Sequence, residues 1–203
     1  MATTTSHAES IDNTSHATRD AFIAAFTELM CTYPIRDITV KEIVAKTHRS
    51  RQTFYKYFDS KDDILDAKLE TLYGECYDYI KGSSCTTYSD FIHEYFVFWQ
   101  ERQETLRTIL EHNPHWLFTQ TSHAYMHRLY PLLQAIGNCT VKDTTNASAI
   151  NCDEYFQCYV FGGLVQVEAR WLDHGCKESP EELAALFNTY WMHVASQIQA
   201  QRT

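Results

Sequence analysis

The sequence predicts an all-α protein: an N-terminal three-helix unit of the helix-turn-helix kind, then a larger helical region, about nine helices in all. Three observations carry this. Apolar residues recur at helical spacing in one segment after another. Cap and breaker residues (Thr39, Ser50, Gly175, Pro34, Pro180) stand where those segments end. No segment alternates apolar and polar residues as a half-buried strand does.

Residues 1–16 are rich in Thr, Ser and Ala and read as a flexible tail. With no Lys or Arg before Arg19, the tail is not expected to act in a minor groove. From Ala17 a helical period begins, with Phe22, Ile23, Phe26, Leu29 and Met30 on one face, and Pro34 stops it. Thr39 followed by Glu42 is a capping box, in which each side chain satisfies an orphan backbone N–H. Ser50 is a second cap, and Ser60 with Asp63 repeats the pattern more weakly. Thr39 to Ser50 leaves room for only a short helix. A short helix, a turn and another short helix form a helix-turn-helix, whose second helix can enter the major groove. Residues 17–62 are assigned to this unit and 63–203 to the second region.

In the second region, Ile64, Leu65, Leu69, Leu72 and Tyr73 form a stripe running towards Lys81, and Gly82–Thr87 is a break. Tyr88 to Arg102 presents Phe91, Tyr95, Phe98 and Trp99 on one face; Gln103 to Glu111 continues as helix, and Pro114 is a boundary. Trp116 to Ile136 reads as a long helix bent at Pro131, and the polar stretch Asn138–Asn151 as a loop. Cys152 to His174 is a long helix with Tyr155, Phe156, Tyr159, Val160, Leu164, Val167, Trp171 and Leu172 on its apolar side; Gly175 is its terminal cap. Ser179-Pro180-Glu181-Glu182 opens a last helix, which ends near Gln199.

Charge and composition narrow the function. A formal net charge of −9 argues against a protein that coats nucleic acid. Between Arg36 and Lys61, however, seven basic residues face only three acidic ones. A basic island on an acidic body is the footprint of a local, oriented phosphate contact, although a solvated helical surface has the same composition. No apolar run is long enough to span a membrane and no secretion signal is present. A cytoplasmic protein is expected, so the three Asn-x-Ser/Thr matches, at Asn13, Asn138 and Asn146, are chance. The seven cysteines form no Cys-x-x-Cys pair and read as thiols, mostly small apolar residues, with a redox pair as the alternative. No Gly-rich phosphate loop, nucleophile elbow or zinc-protease motif is present, so no enzyme, catalytic residue or cofactor is expected. His93, His112, His115, His123 and His127 cluster in the middle of the chain. His123 and His127 have metal-ligand spacing, but no third ligand is evident and no metal site is assigned.

Residues 53–65, Thr-Phe-Tyr-Lys-Tyr-Phe-Asp-Ser-Lys-Asp-Asp-Ile-Leu, resemble the Thr-Phe-Tyr-x-Tyr-Phe-x-x-Lys-x-x-Leu-Leu run of TetR-family transcriptional regulators. Ile38 to Val44 matches that family's first motif helix, and the likeness extends over about residues 18–70. The resemblance implies that Lys41, Arg51, Gln52 and Tyr55 reach base edges. Arg suits guanine and Gln suits adenine, each through two hydrogen bonds. It implies that Thr39, Ser50, Thr53, Tyr57 and Lys61 bind phosphates, and that Ile38, Ile43, Val44, Phe54 and Phe58 form a small core. Tyr55 and Tyr57 as plain packing aromatics is the alternative. The chain departs from the family at Thr47-His48-Arg49, where Ala-Gly-Val is usual. Gly suits a left-handed turn better than His does, and Arg49 must keep its head in water.

Phe161-Gly162-Gly163-Leu164, Trp171-Leu172-x-x-Gly175 and Ser179-Pro180-Glu181-Glu182-Leu183 are similar to the C-terminal region of a TetR subgroup common in Gram-positive bacteria. That resemblance implies a homodimer held by a four-helix bundle, with Gly162, Gly163, Val167, Trp171, Leu183 and Tyr190 at the interface. The two glycines each cost about 1 kcal/mol of helix stability against Ala, and close helix approach would be their use. For a small-molecule effector the aromatic candidates are Tyr95, Phe98, Trp99, Trp116, Tyr125 and Tyr159, for which ordinary core packing is the plainer reading. The function implied is a DNA-binding regulator, usually a repressor, on a near-palindromic operator. The alternative is a coactivator that works through a protein partner with weak or lost DNA binding.

Overall fold

Phe22, Phe26, Phe54 and Phe58 collect the first part of the chain around one aromatic centre. The ring pairs Phe22–Phe54 and Phe22–Phe58 lie edge to face, with centroids 5.4 and 6.4 Å apart. All four rings are buried, as are Met30, Ile35, Ile38, Ile43 and Val44. Each such side chain contributes about 1.5–3 kcal/mol of burial. The computed structural model describes residues 5–113, 125–136 and 152–200. Around this centre stand α1 (Thr5–Met30), α2 (Val40–Thr47) and α3 (Arg51–Phe54), with a 3-10 turn at Ile35–Asp37 after Pro34.

The remaining helices are α4 (Asp62–Gly82), α5 (Tyr88–Gln100), α6 (Gln103–His112), α7 (Tyr130–Ala135), α8 (Cys152–Asp173) and α9 (Pro180–Ala200). Nine α-helices and no strand occur among the described residues. The chain divides into two compact units, Met1–Glu70 with Thr108–Pro114 and Thr71–Arg107 with His115–Thr203. In the second unit α5 packs along α9. Phe91, Ile92, Tyr95, Phe96, Phe98 and Trp99 of α5 are all buried, so this helix is covered on more than one side. Phe96 meets Trp171 of α8 edge to face at 5.3 Å and Phe187 of α9 at 6.0 Å.

Helix ends follow the caps. Thr39 and Glu42 exchange both capping-box bonds at the start of α2, and Ser179 and Glu182 do so at α9, where Pro180 is the first helical residue. Thr87 and Asp90 form a third box opening α5. The end of α8 has the Schellman pattern: Gly175 at φ 77° donates to Leu172 O, and Cys176 donates to Trp171 O.

Two elements differ from the sequence expectation. α1 begins at Thr5, so residues 5–16 are helical and not a flexible tail. This stretch has no Gly or Pro, and a helix fixed by its packed half extends at one hydrogen bond per residue. Nor does Pro131 bend a long helix: a 3-10 turn at His127–Leu129 precedes it, and Pro131 sits in the first turn of short α7. Its missing N–H is an orphan there and costs nothing. The expected helix at 116–124 and loop at 138–151 lie outside the described residues.

Candidate nucleic-acid interface

The turn between α2 and α3 is where the sequence departs most from expectation, and the backbone absorbs the change. His48 takes the left-handed conformation, φ 53° and ψ 31°. Its N–H donates to Ala45 O at 3.3 Å, and Arg49 N–H donates to Val44 O at 3.1 Å, so α2 ends in a Schellman motif without a glycine. The hydrophobic partner that usually accompanies this motif is replaced by Arg49, which is exposed.

Ser50 then caps α3, its Oγ accepting from Thr53 N–H at 3.0 Å and pairing with Thr53 Oγ1 at 2.8 Å. Only Phe54 of α3 is buried. Its burial fixes the roll of the helix, and Lys41, Arg51, Gln52 and Tyr55 are left exposed, Tyr55 at 50%. Arg51 and Tyr55 are four residues apart and share a face. Among the described residues Lys41, Arg49, Arg51 and Lys56 make no ion pair, whereas Lys46 is held by Glu28 at 2.6 Å. Four exposed cations with no ion pair among the described residues thus stand on or beside these two helices.

The expected phosphate contacts divide. Thr39 and Ser50 are exposed, and Thr53 and Tyr57 are half-buried. Tyr57 OH accepts from Ser15 Oγ of α1 at 3.3 Å. Lys61 is different. Its ammonium donates to Ile35 O, to Arg36 O at 3.1 Å and to Ile38 O at 3.0 Å. An ammonium has three donors, and all three are taken by carbonyls in the 3-10 turn and of Ile38 just after it. Lys61 therefore ties that turn to the start of α4 and is not a free cation for phosphate. Asn113 supports the same turn, its Oδ1 accepting from Ile35 N–H at 2.7 Å. Hydrogen bonds from Thr39 hold the Glu42 carboxyl below its usual range, and those from Ser60 and Asp59 do the same for Asp63. Both caps stay ionised at neutral pH.

Residues 22–67 match the family described as bacterial regulatory proteins, tetR family. Residues 86–192, more than half of the chain, match the family described as transcriptional regulator C-terminal region. The chain belongs to the TetR family of transcriptional regulators. Two solved structures share the fold. The TetR transcriptional regulator from Streptococcus agalactiae 2603V aligns with a TM-score of 0.64 at 20% identity, over 90% of this chain and 98% of the other. The dihydroxyacetone kinase operon activator DhaS aligns with a TM-score of 0.52 at 17% identity, over 90% and 97%. No curated protein sequence matches the chain.

In this TetR-family chain the aromatic candidates for an effector site are only partly brought together. Tyr95, Phe98 and Trp99 are buried side by side on α5, and Tyr125 stacks on Tyr73 of α4 at 6.2 Å. Tyr159 is 73% exposed and takes no part, and Trp116 lies outside the described residues. Sequence reasoning missed Glu168, which is wholly buried and accepts a hydrogen bond from Tyr95 OH. The signal was present: Glu168 falls four residues after Leu164 and three before Trp171, on the apolar side of its helix.

The expected interface residues also divide. Gly162 and Val167 are half-buried, Gly163 is exposed and Tyr190 is 61% exposed. A Cβ added at either glycine would meet nothing within 4 Å. Trp171 and Leu183 are interior residues, a correction to the interface assignment. Trp171 packs on Phe96 and donates its indole N–H to Glu178 O at 2.9 Å. On α8 and α9 the large apolar residues facing solvent, among the described residues, are instead Tyr159, Leu186 and Tyr190.

Proposed function

We propose that this TetR-family regulator is a repressor that binds a near-palindromic operator as a homodimer and responds to a small molecule. Residues 17–62 carry DNA recognition, and 63–203 carry effector binding and dimerisation. Lys41, Arg51, Gln52 and Tyr55 read bases, while Thr39, Ser50, Thr53 and Tyr57 contact phosphate, with Arg49 and Lys56 added as cations beside them. The observation that carries this reading is that Lys41, Arg49, Arg51 and Lys56 are exposed and make no ion pair among the described residues, on a chain of net charge −9. An acidic protein that leaves local cations unneutralised is suited to an anionic partner. Dimerisation is supported by Tyr159, Leu186 and Tyr190, large apolar side chains left in water on α8 and α9. The effector acts only through unequal affinity for the DNA-competent and DNA-incompetent dimers.

Selection of binding sites from random duplexes tests the reading. Recovery of an inverted repeat with half-sites about one helical turn apart supports it. Recovery of no motif, with binding that ignores salt, would move the chain to the second reading, a coactivator working through a protein partner. DhaS is named as an operon activator, which gives activation its place beside repression. A promoter–reporter fusion decides the sign of regulation.

A further inference from the structure

Glu168 is an acid in the middle of an apolar helix face, and nothing in the DNA-binding reading uses it. It is wholly buried in the second unit. Its Oε2 accepts from Tyr95 OH, and its Oε1 has no hydrogen-bond partner among the described residues. No Lys, Arg or His pairs with it there. Arg102 acts on the neighbouring Cys76, but its guanidinium is spent elsewhere: on Glu75 and Glu101, each at 3.4 Å, on Phe98 O at 3.0 Å, and over the Phe98 ring at 3.7 Å. Around Glu168 the neighbours are aromatic rings together with Cys76 and Met126. Tyr73 and Tyr95 both lie within electrostatic reach of one another and Tyr95 within reach of Glu168, and both rings pack edge to face on Trp99. The Trp99 indole N–H is also buried without an acceptor among the described residues.

A buried carboxyl with a vacant oxygen costs stability unless something supplies the missing donor. A donor that also brings positive charge supplies the counter-ion that the ionised form of this carboxyl lacks, and tyrosine and tryptophan faces attract organic cations in addition. We infer that Glu168, with Tyr95 and the surrounding rings, anchors an organic cation, an amine on an apolar or aromatic body, as the effector of this regulator. The inference rests on the small-molecule reading above and names its ligand class. Burial holds the empty Glu168 carboxyl up at about 8, against a smaller lowering by the Tyr95 hydrogen bond. Near pH 7 the acid is therefore mostly neutral. An ammonium ligand restores the carboxylate: the proton on Glu168 leaves to solvent, and an ion pair with the ligand N–H takes its place.

The test uses the full-length protein with three probes of one shape: phenethylamine (a cation at pH 7), 2-phenylethanol (neutral) and phenylacetate (an anion). Calorimetry in two buffers of different ionisation enthalpy should find phenethylamine binding at least about tenfold tighter than either isostere, with close to one proton released per probe. Glu168→Gln keeps the shape of the neutral acid and should abolish both the preference and the proton release. Tyr95→Phe should weaken phenethylamine binding without restoring the neutral probe. Equal binding of the three probes, binding of phenethylamine without proton release, or no binding of any probe would overturn the cation class. Titration of operator DNA separates the two layers. If 2-phenylethanol or phenylacetate released the DNA, the small-molecule reading would stand and the ligand class would fall. If phenethylamine bound with proton release and left operator affinity unchanged, the site would stand and its coupling to DNA would fall.

Discussion

His48 occupies a left-handed backbone conformation for which an ordinary L residue incurs about 1–2 kcal/mol, and its turn keeps both Schellman hydrogen bonds all the same. The motif's bonds outweigh the local strain, so the departure from glycine lowers stability without undoing the turn. His48→Gly should therefore raise the unfolding free energy by about 1 kcal/mol, a rise in melting temperature of roughly 2–4 °C by calorimetry. No change would mean that the turn relaxes in solution. Lys61 is a residue whose identity points one way and whose contacts point another. Lys61→Met keeps the side-chain volume but strips three carbonyls of their donor, and it should lower stability by about 1–3 kcal/mol in urea unfolding. DNA affinity should then fall only in proportion to the unfolded fraction. Arg51 is the opposite case, exposed and without an ion pair among the described residues. Arg51→Ala should leave stability within about 0.5 kcal/mol, yet lower affinity for the selected operator by about 1–3 kcal/mol. Equal losses on operator and scrambled duplex would remove it from the base-reading set.

Between helices, the polar contacts at the surface of the second unit make one pH-sensitive clamp. His93 of α5 lies between two carboxylates, with Nε2 3.2 Å from Glu181 Oε1 of α9 and Nδ1 3.1 Å from Glu94 Oε1. Partial burial alone would lower its pKa, but the hydrogen bonds and charges of Glu181 and Glu94 outweigh that and raise it. Glu181 is held down at about 2, chiefly by Ser179 and then by His93, and so stays charged throughout. For a histidine raised on folding, the stabilisation is complete below its unfolded pKa of about 6.5 and is lost as pH rises through the folded value. Melting temperature should thus fall more steeply above about pH 6.5 in the wild type than in His93→Gln. Parallel curves would mean that the clamp is not formed. Elements were legible in the sequence wherever a cap announced them: Thr39, Ser50, Gly175 and Pro180 each end or begin a helix where expected. They were illegible where packing, not local chemistry, decides. The polar half of α1 has no apolar face to reveal it, and Pro131 reads equally as a kink or as a first-turn residue until its neighbours are known.

At the scale of the whole protein, the exposure of Lys41, Arg51, Gln52 and Tyr55, the residues proposed to read bases, follows from the sequence because they are polar, local and set by one turn. The surfaces of α8 and α9 could not be divided in the same way. Trp171 and Leu183 share their composition with an interface but are buried, Trp171 against Phe96 of α5 and Glu178 O of the following loop, while Tyr159, Leu186 and Tyr190 look like core residues and stand in water. Periodicity marks an apolar face without saying whether the same chain or a second copy covers it. If a second copy does, Leu186→Arg would bury an unpaired cation at the contact, a change that oligomers seldom survive. Sedimentation should then find the wild type dimeric and Leu186→Arg monomeric at micromolar concentration. With the link between half-sites cut, affinity for the full operator should drop by about 100-fold, and affinity for an isolated half-site should stay the same. A dimeric Leu186→Arg protein would direct the search to another face, and a monomeric wild type would remove the two-fold operator altogether.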